Sequence, residues 1–159
     1  MFKQFAADLK IAFEQPLPGK SAQALLKPYL KLKTYLDAPP ILKPKQGAVL
    51  SLIDSKKDIL HLLFIERPIY NGVHSGQIAF PGGKIEKTDL SILDAALRET
   101  EEEVGVKKDI VDVIGNLTEV FVLASNFMVY PYVGLLETAP ILKLEQKEVA
   151  NVLEVPLTR

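Results

Sequence analysis

The chain has 159 residues, of which 48% are hydrophobic and 25% are charged, and its formal net charge is −1. This size and composition predict one domain over residues 1–159 with a single hydrophobic core. The nearly neutral charge argues against nucleic acid or an anionic membrane as a partner. Because the chain contains no cysteine, disulfides, thiolate metal sites and a cysteine nucleophile are excluded. Its apolar runs are far shorter than the ~20 residues that span a bilayer, and the N-terminus lacks a signal-peptide core, so we expect a cytoplasmic protein.

The first 45 residues predict a helical extension and a linker. Apolar side chains recur there at helical spacing, at Phe2, Phe5, Leu9 and Phe13. They predict an amphipathic helix over residues 2–14 that packs against the domain or against a second copy of the chain in a homodimer. A membrane surface is the less favoured alternative, because few lysines accompany the helix. A short helix over residues 21–26 and an extended connector over residues 37–46 follow.

The middle of the chain predicts a sheet. Apolar runs at residues 47–53 and 59–67 are separated by a turn signal, and we expect them to be paired central strands in which His61 is a sheet residue rather than a ligand. Further strands are predicted at residues 77–80, 110–120, 121–124 and 128–137. Pro131 indicates an edge or a bulge in the last of these. Strands that alternate with one long helix, together with terminal helical material, predict an α/β fold, an α/β/α sandwich with a mixed sheet.

Residues 82–106 predict a loop followed by that long helix. Ser91 and Asp94 have the spacing of a capping box, with Asp89 as a competing cap, and Gly105 stands where a left-handed residue ends a helix. The helix is therefore expected from Ser91 to about residue 104. Its core-facing side is predicted to consist of Leu93, Leu97, Thr100 and Val104.

The other side of this helix carries three carboxylates on one stripe. At helical spacing Glu103 lies ~40° from Glu99, and Glu102 lies ~60° to the other side of Glu99. Arg98 can pair with Glu102, but one arginine cannot neutralise three acids, and Mg²⁺ or Mn²⁺ prefers such oxygen clusters. The alternative is a solvated acidic face, which is the role expected for the neighbouring Glu101.

The same stretch resembles the signature sequence of the Nudix hydrolases. The resemblance is carried by the glycine pair Gly82-Gly83 and by the run Arg98-Glu99-Thr100-Glu101-Glu102-Glu103-Val104-Gly105-Val106. Two positions depart from the family pattern. Asp89 replaces a glutamate, and eight residues, rather than the usual seven, separate it from Arg98. Thr100 replaces an aliphatic residue.

Residues 67–83 resemble a second motif, which marks the coenzyme A pyrophosphatase branch of this family. The matching features are Arg67 in an apolar strand, a spaced glycine, and the Phe-Pro-Gly-Gly run at residues 80–83. The branch carries an arginine where this chain has Gly72. Apart from the resemblance, Arg67 at a strand end suits a phosphate or a structural salt bridge equally well. His74 either contacts substrate phosphate or holds its loop.

The resemblance implies an enzyme that cleaves a diphosphate linkage with Mg²⁺ or Mn²⁺. It implies metal ligation by Glu99, Glu102, Glu103 and the carbonyl of Gly83 or its neighbour, with Arg98 orienting Glu102. Substrate contacts are expected from Arg67, His74, Gly82 and Gly83, the glycines because they let a phosphate approach the backbone. The substrate is expected to be coenzyme A or an acyl derivative, and the alternatives are ADP-ribose or a dinucleotide, or an inactive binding module.

Two further points remain open in the sequence. Glu145, Glu148 and Glu154 lie in a polar segment after the last predicted strand, and we expect ordinary surface residues unless one of them approaches the metal site from a loop. An isopentenyl diphosphate isomerase shares the implied fold, but the absence of cysteine removes the thiol that such an enzyme uses.

Overall fold

The computed structural model describes residues 1–25, 43–71, 74–122 and 125–157. Predictions that concern Gly72 and most of the connector at 37–46 fall outside these residues. The described chain forms helices α1 (Phe2–Phe13), α2 (Gly19–Leu25) and α3 (Ile92–Val104) and a 3₁₀-helix (Lys108–Ile110). Its strands are β1 (Lys45–Lys56), β2 (Ile59–Glu66), β3 (Ile78–Ala79), β4 (Gly82–Lys84), β5 (Asp112–Asn116), β6 (Val120–Val122), β7 (Phe127–Leu136) and β8 (Asn151–Pro156).

The eight strands form one mixed sheet around β1. Strand β1 pairs with β2 in antiparallel orientation and with β7 in parallel orientation, where Lys45 stands opposite Phe127 and Asp54 opposite Leu136. The strand order is β3-β2-β1-β7-β5, while β4 pairs with β1, β6 with β7 and β8 with β2. The mixed sheet predicted from the sequence is therefore confirmed.

Helices cover the two faces of this sheet. Successive side chains of a strand point to opposite faces, and Leu50 and Leu52 of β1 lie in one apolar cluster with Ala95 and Ala96 of α3. Ile53 lies in a second cluster, which is covered by five residues of α1, namely Phe2, Phe5, Ala6, Leu9 and Phe13. The α/β/α sandwich is thus confirmed, with α3 on one face and α1 on the other.

Helix α1 packs on its own domain, which is one of the two roles expected for it. Phe13 occupies the space above Gly115 of β5, where an added Cβ would lie 2.7 Å from the phenyl ring. A larger residue at position 115 would therefore force the Phe13 ring to shift. A homodimer stays a prediction. Among the described residues, no helix combines the length and apolar character needed to cross a membrane.

Three features of the sheet differ from the predictions. Strand β4 contains two glycines and has little intrinsic strand preference, and it forms because β1 supplies its partner. Strand β8 lies in the polar segment for which we predicted no strand, and it pairs with β2 along His61–Glu66. Pro131 is not at an edge: it lies within β7, between the residues that pair with β6 and those that pair with β5. A missing N–H is tolerated where the ladder changes partner.

Candidate metal and nucleotide site

The ends of α3 explain why the acidic helix starts and stops where it does. The backbone N–H of Asp94 donates to the Ser91 hydroxyl at 3.0 Å, as a capping residue requires. The Asp94 carboxylate, however, accepts from the N–H of Leu90 at 3.2 Å, so only half of the predicted capping box forms. At the other end Gly105 adopts φ 76°, and its N–H donates to the carbonyl of Glu101 at 2.9 Å.

The faces of α3 are rotated relative to the prediction. Thr100 and Val104 are fully buried as expected, but the fully buried residues also include Ala95, Ala96 and Glu103, while Leu93 and Leu97 are only half-buried. The carboxylate stripe is therefore divided by burial. Glu103 is 1% exposed, Glu99 is half-buried, and the Glu102 side chain is 57% exposed.

Glu103 lies beneath the glycine pair. The N–H of Gly82 donates to its Oε2 at 2.8 Å, and a guanidinium nitrogen of Arg67 lies 3.5 Å from its Oε1. Oε1 is buried and has no hydrogen-bond partner among the described residues. Burial disfavours the charged form and raises the pKa of Glu103 to about 7, although the Gly82 N–H and Arg67 oppose this shift.

Glu99 packs against the backbone of Gly83. A Cβ on Gly83 would lie 2.4 Å from the carboxyl carbon of Glu99, so a residue with a side chain here would displace the carboxylate. Burial also raises the pKa of Glu99, and the hydrogen bond from Arg98 at 3.0 Å acts in the opposite direction. The glycine pair thus brings backbone within contact of two carboxylates on α3.

Glu148 completes a cluster of three carboxylates. One carboxylate oxygen from each of Glu99, Glu103 and Glu148 lies within 4.8 Å of the other two. The turn that carries Glu148 is held at both ends. The N–H of Glu145 donates to the carbonyl of Glu103 at 3.0 Å, and the N–H of Ala150 donates to the carbonyl of Glu66 at 2.8 Å.

Sequence reasoning left the position of this third acid open between a surface role and an approach to the metal site. The structure brings Glu148 to the site, whereas Glu154 binds Lys56 at 2.7 Å. The available signal was weak. It consisted of the aliphatic residue Val149 directly after Glu148, and in the structure Val149 is fully buried and anchors the turn.

Arg98 contacts four groups, two in the segment before α3 and two on α3 itself. It pairs with Glu102 at 2.9 Å, as predicted, and it also donates to Glu99 and to the carbonyl of Lys84. Its shortest contact is with Asp89, at 2.7 Å from Nε. Asp89 therefore does not cap the helix but binds Arg98, and this hydrogen bond lowers the pKa of Asp89.

A cleft of about 330 Å³ opens beside the glycine pair. The four residues expected to contact substrate, Arg67, His74, Gly82 and Gly83, all line it. Its apolar wall includes Val49, Phe80, Val122, Phe127 and Val129. Gly82, Gly83 and Arg67 border both the cleft and the carboxylate cluster, so no side chain of the glycine pair separates the two.

Two hydrogen bonds hold the described residues of the loop at the mouth of the cleft. The N–H of Arg67 donates to the carbonyl of Gln77 at 3.0 Å, which closes the base of the loop. His74 adopts φ 74°, a conformation that costs energy for a residue with a side chain, and its Nδ1 lies 2.7 Å from Oε1 of Gln77. Both side chains line the cleft, so the contact holds a polar pair at its wall.

Sequence comparison identifies related proteins. A sequence profile of the NUDIX domain matches residues 43–158. Curated relatives from Salmonella dublin and from Escherichia coli O1:K1 / APEC, each called "Uncharacterized Nudix hydrolase NudL", are 37% identical over 135 residues. These alignments cover 85% of this chain and 66% of each relative, so the chain spans just under two thirds of the relatives' length.

Solved structures share the fold. An Ap4A hydrolase from C. elegans in a binary complex superposes with a TM-score of 0.60 at 16% identity, over 70% of this chain and 80% of that one. The NUDIX domain of Shewanella oneidensis NrtR, complexed with ADP ribose, gives a TM-score of 0.59 at 17% identity, over 79% and 82% of the two chains. A MutT/nudix family protein from Enterococcus faecalis gives 0.60 at 22% identity, over 96% and 56%.

Proposed function

The chain belongs to the Nudix family, and from this membership and the site we propose that it is a metal-dependent hydrolase of nucleotide diphosphates. The observation that carries the proposal is the carboxylate cluster of Glu99, Glu103 and Glu148 beside a glycine pair that borders a cleft. The proposed substrate is coenzyme A or an acyl derivative. Water adds to one phosphorus atom, the bond from that atom to the bridging oxygen breaks, and the products are 4′-phosphopantetheine and adenosine 3′,5′-bisphosphate.

The donor set fits a hard divalent ion, either Mg²⁺ or Mn²⁺. All three groups of the cluster offer oxygen, and Oε1 of Glu103 is buried without a hydrogen-bond partner among the described residues, as expected for an atom reserved for an ion. We propose the backbone carbonyl of Gly83 or of its neighbour Gly82 as a further ligand, as the family resemblance implies; the Gly82 carbonyl accepts from Arg67 at 3.1 Å and keeps a second lone pair. Glu102 is exposed and is proposed to hold an ion together with the substrate phosphates.

The residues around the cluster fix its geometry. A bound ion would screen phosphate charge and lower the pKa of the attacking water. Arg98 is proposed to orient Glu99 and Glu102, since it bonds to both at 3.0 and 2.9 Å while Asp89 fixes its own position. Gly83 keeps the cluster open to the cleft, because any side chain there would meet Glu99.

The cleft supports a ligand that is apolar in one part and anionic in another. Arg67 and Lys84 offer cationic side chains, and Phe127 offers an aromatic face for a base. These features suit the adenine and diphosphate of coenzyme A, and they suit ADP-ribose or a dinucleotide equally. The ADP ribose in the NrtR domain, which shares the fold, favours ADP-ribose as the second candidate. An inactive binding module is the third, although all three helical glutamates of the family pattern are present.

Product analysis of the purified protein tests this proposal. Coenzyme A, 3′-dephospho-coenzyme A, ADP-ribose and NADH are incubated with Mg²⁺ or Mn²⁺, and the products are separated by chromatography, with an EDTA arm as control. We expect coenzyme A to be cleaved with the highest kcat/KM and EDTA to abolish cleavage. A better rate with ADP-ribose would select the second candidate, and the absence of any cleavage would leave the binding module.

We expect the enzyme to act in the cytoplasm on small nucleotides, without nucleic acid or membrane as a partner.

A further inference from the structure

Arg67 lies between two regions that the proposed reaction uses for different purposes. Its guanidinium donates to the carbonyl of Gly82 at 3.1 Å and lies 3.5 Å from Oε1 of Glu103. The same side chain lines the cleft and is 26% exposed. One cation therefore faces both the buried carboxylate and the space proposed for the substrate diphosphate.

The contact between Arg67 and Glu103 is electrostatic rather than a hydrogen bond. Its length of 3.5 Å exceeds the range of about 2.7–3.2 Å that is usual for N–H···O bonds. Arg67 thus offsets the charge of Glu103 but leaves Oε1 without a hydrogen-bond partner among the described residues. A divalent ion bound at that oxygen would offset the negative charge of Glu103 in place of Arg67, because its charge is twice that of a guanidinium.

From this geometry we propose that Arg67 is a counter-ion shared between the metal site and the substrate, a role that rests on the proposed function. Before an ion binds, the charge of Arg67 is engaged by Glu103. Once the ion neutralises Glu103, the charge of Arg67 attracts an anionic diphosphate in the cleft. Metal binding therefore strengthens diphosphate binding, and by linkage the diphosphate strengthens metal binding by the same factor.

This role differs in its consequences from the two simpler ones. If Arg67 served only to orient Glu103, its removal would weaken metal binding. If Arg67 bound only phosphate, its removal would leave metal binding unchanged when no nucleotide is present. As a shared counter-ion, Arg67 competes with the ion for Glu103, so its removal strengthens metal binding in the absence of nucleotide and reduces the coupling between the two ligands.

The test measures both affinities in the parent protein and in Arg67→Met, without relying on turnover. Mn²⁺ binding is followed by electron paramagnetic resonance at about pH 8.5, and α,β-methylene-ADP, whose bridging carbon resists hydrolysis, is titrated by calorimetry with and without Mn²⁺. We expect Mn²⁺ alone to bind about threefold or more tightly in the variant. The factor by which Mn²⁺ enhances binding of the analogue should fall about tenfold, since a charge-assisted phosphate contact is lost.

Lys107→Met removes an exposed cation and is the matched control, which should leave both quantities unchanged. Weaker Mn²⁺ binding in Arg67→Met, or unchanged Mn²⁺ binding, would overturn the shared role, as would an unchanged coupling factor. If Arg67→Met fails to fold, Arg67→Gln, which keeps an amide donor for the Gly82 carbonyl, carries the same expectations. A parent protein that binds no Mn²⁺ would instead contradict the proposed function.

Discussion

Replacing Glu103 by glutamine should stabilise the metal-free protein above neutral pH while it weakens metal binding. The carboxyl group is 1% exposed, and burial raises its pKa from 4.5 to about 7. Because the folded-state pKa is above the unfolded-state value, the unfolded chain ionises first, and stability is lost as the pH rises from about 4.5 through about 7. A shift of this size corresponds to a loss of roughly 3 kcal/mol.

Glutamine has nearly the same shape and keeps an acceptor for the N–H of Gly82, but it carries no charge that must be buried. In EDTA near pH 8 we therefore expect Glu103→Gln to be more stable than the parent by up to about 3 kcal/mol, and equal to it near pH 4.5. Urea unfolding at the two pH values measures this difference. Mn²⁺ should stabilise the parent more than it stabilises the variant.

Glu101→Gln is the matched control, because Glu101 lies on the same helix but is exposed. It should show the same dependence of stability on pH as the parent. The reasoning would be refuted if Glu103→Gln also followed the parent at both pH values, since the buried carboxylate would then carry no cost. It would equally be refuted if Mn²⁺ stabilised Glu103→Gln as much as it stabilises the parent.

Three further substitutions test separate parts of the structure. Gly83→Ala places a Cβ 2.4 Å from the Glu99 carboxyl carbon. Hydrolysis of the best substrate should fall about tenfold or more, while the urea midpoint should change little because the end of the Glu99 side chain can move. An unchanged rate would show that the position of the Glu99 carboxylate is unimportant. Arg98→Lys loses the forked contact with Asp89, which should cost roughly 1–3 kcal/mol in urea unfolding, and an unchanged midpoint would contradict this. Asp54→Asn removes a fully buried carboxyl group whose pKa is raised by burial and whose oxygens lack hydrogen-bond partners among the described residues. It should therefore raise stability near pH 8 but not near pH 4, and an equal effect at both pH values would show that the buried charge of Asp54 carries no cost.

The sequence was sufficient for features that depend on local chemistry. The limits of α3 follow from Ser91 and Gly105, whose hydroxyl group and left-handed backbone act within a single helical turn. The pairing of Arg98 with Glu102 also follows from helical spacing alone. The apolar stripe of α1 likewise predicts that one face of the helix is buried, although it does not tell whether the domain or a second copy covers that face.

Features that depend on distant partners could not be predicted in this way. The three acids on the carboxylate stripe of α3, Glu99, Glu102 and Glu103, are all glutamates, so the sequence does not distinguish them. Their burial differs because β4 lies over one side of α3 and buries Glu103. Glu148 reaches the cluster through hydrogen bonds between its turn and residues far away in the chain. Strand β4 exists only through its pairing with β1, since two glycines provide no local signal.

The central claim, that the carboxylates of Glu99, Glu103 and Glu148 hold the catalytic ion, is tested most directly by Mn²⁺ titration of the nucleotide-free protein. Paramagnetic resonance of free Mn²⁺ gives the dissociation constant for the parent and for the three glutamate-to-glutamine variants. We predict that each of the three weakens binding about tenfold or more, while Glu101→Gln stays within about twofold of the parent. If Glu103→Gln and Glu148→Gln bind Mn²⁺ as tightly as the parent does, the carboxylate cluster is not the metal site and the account is wrong.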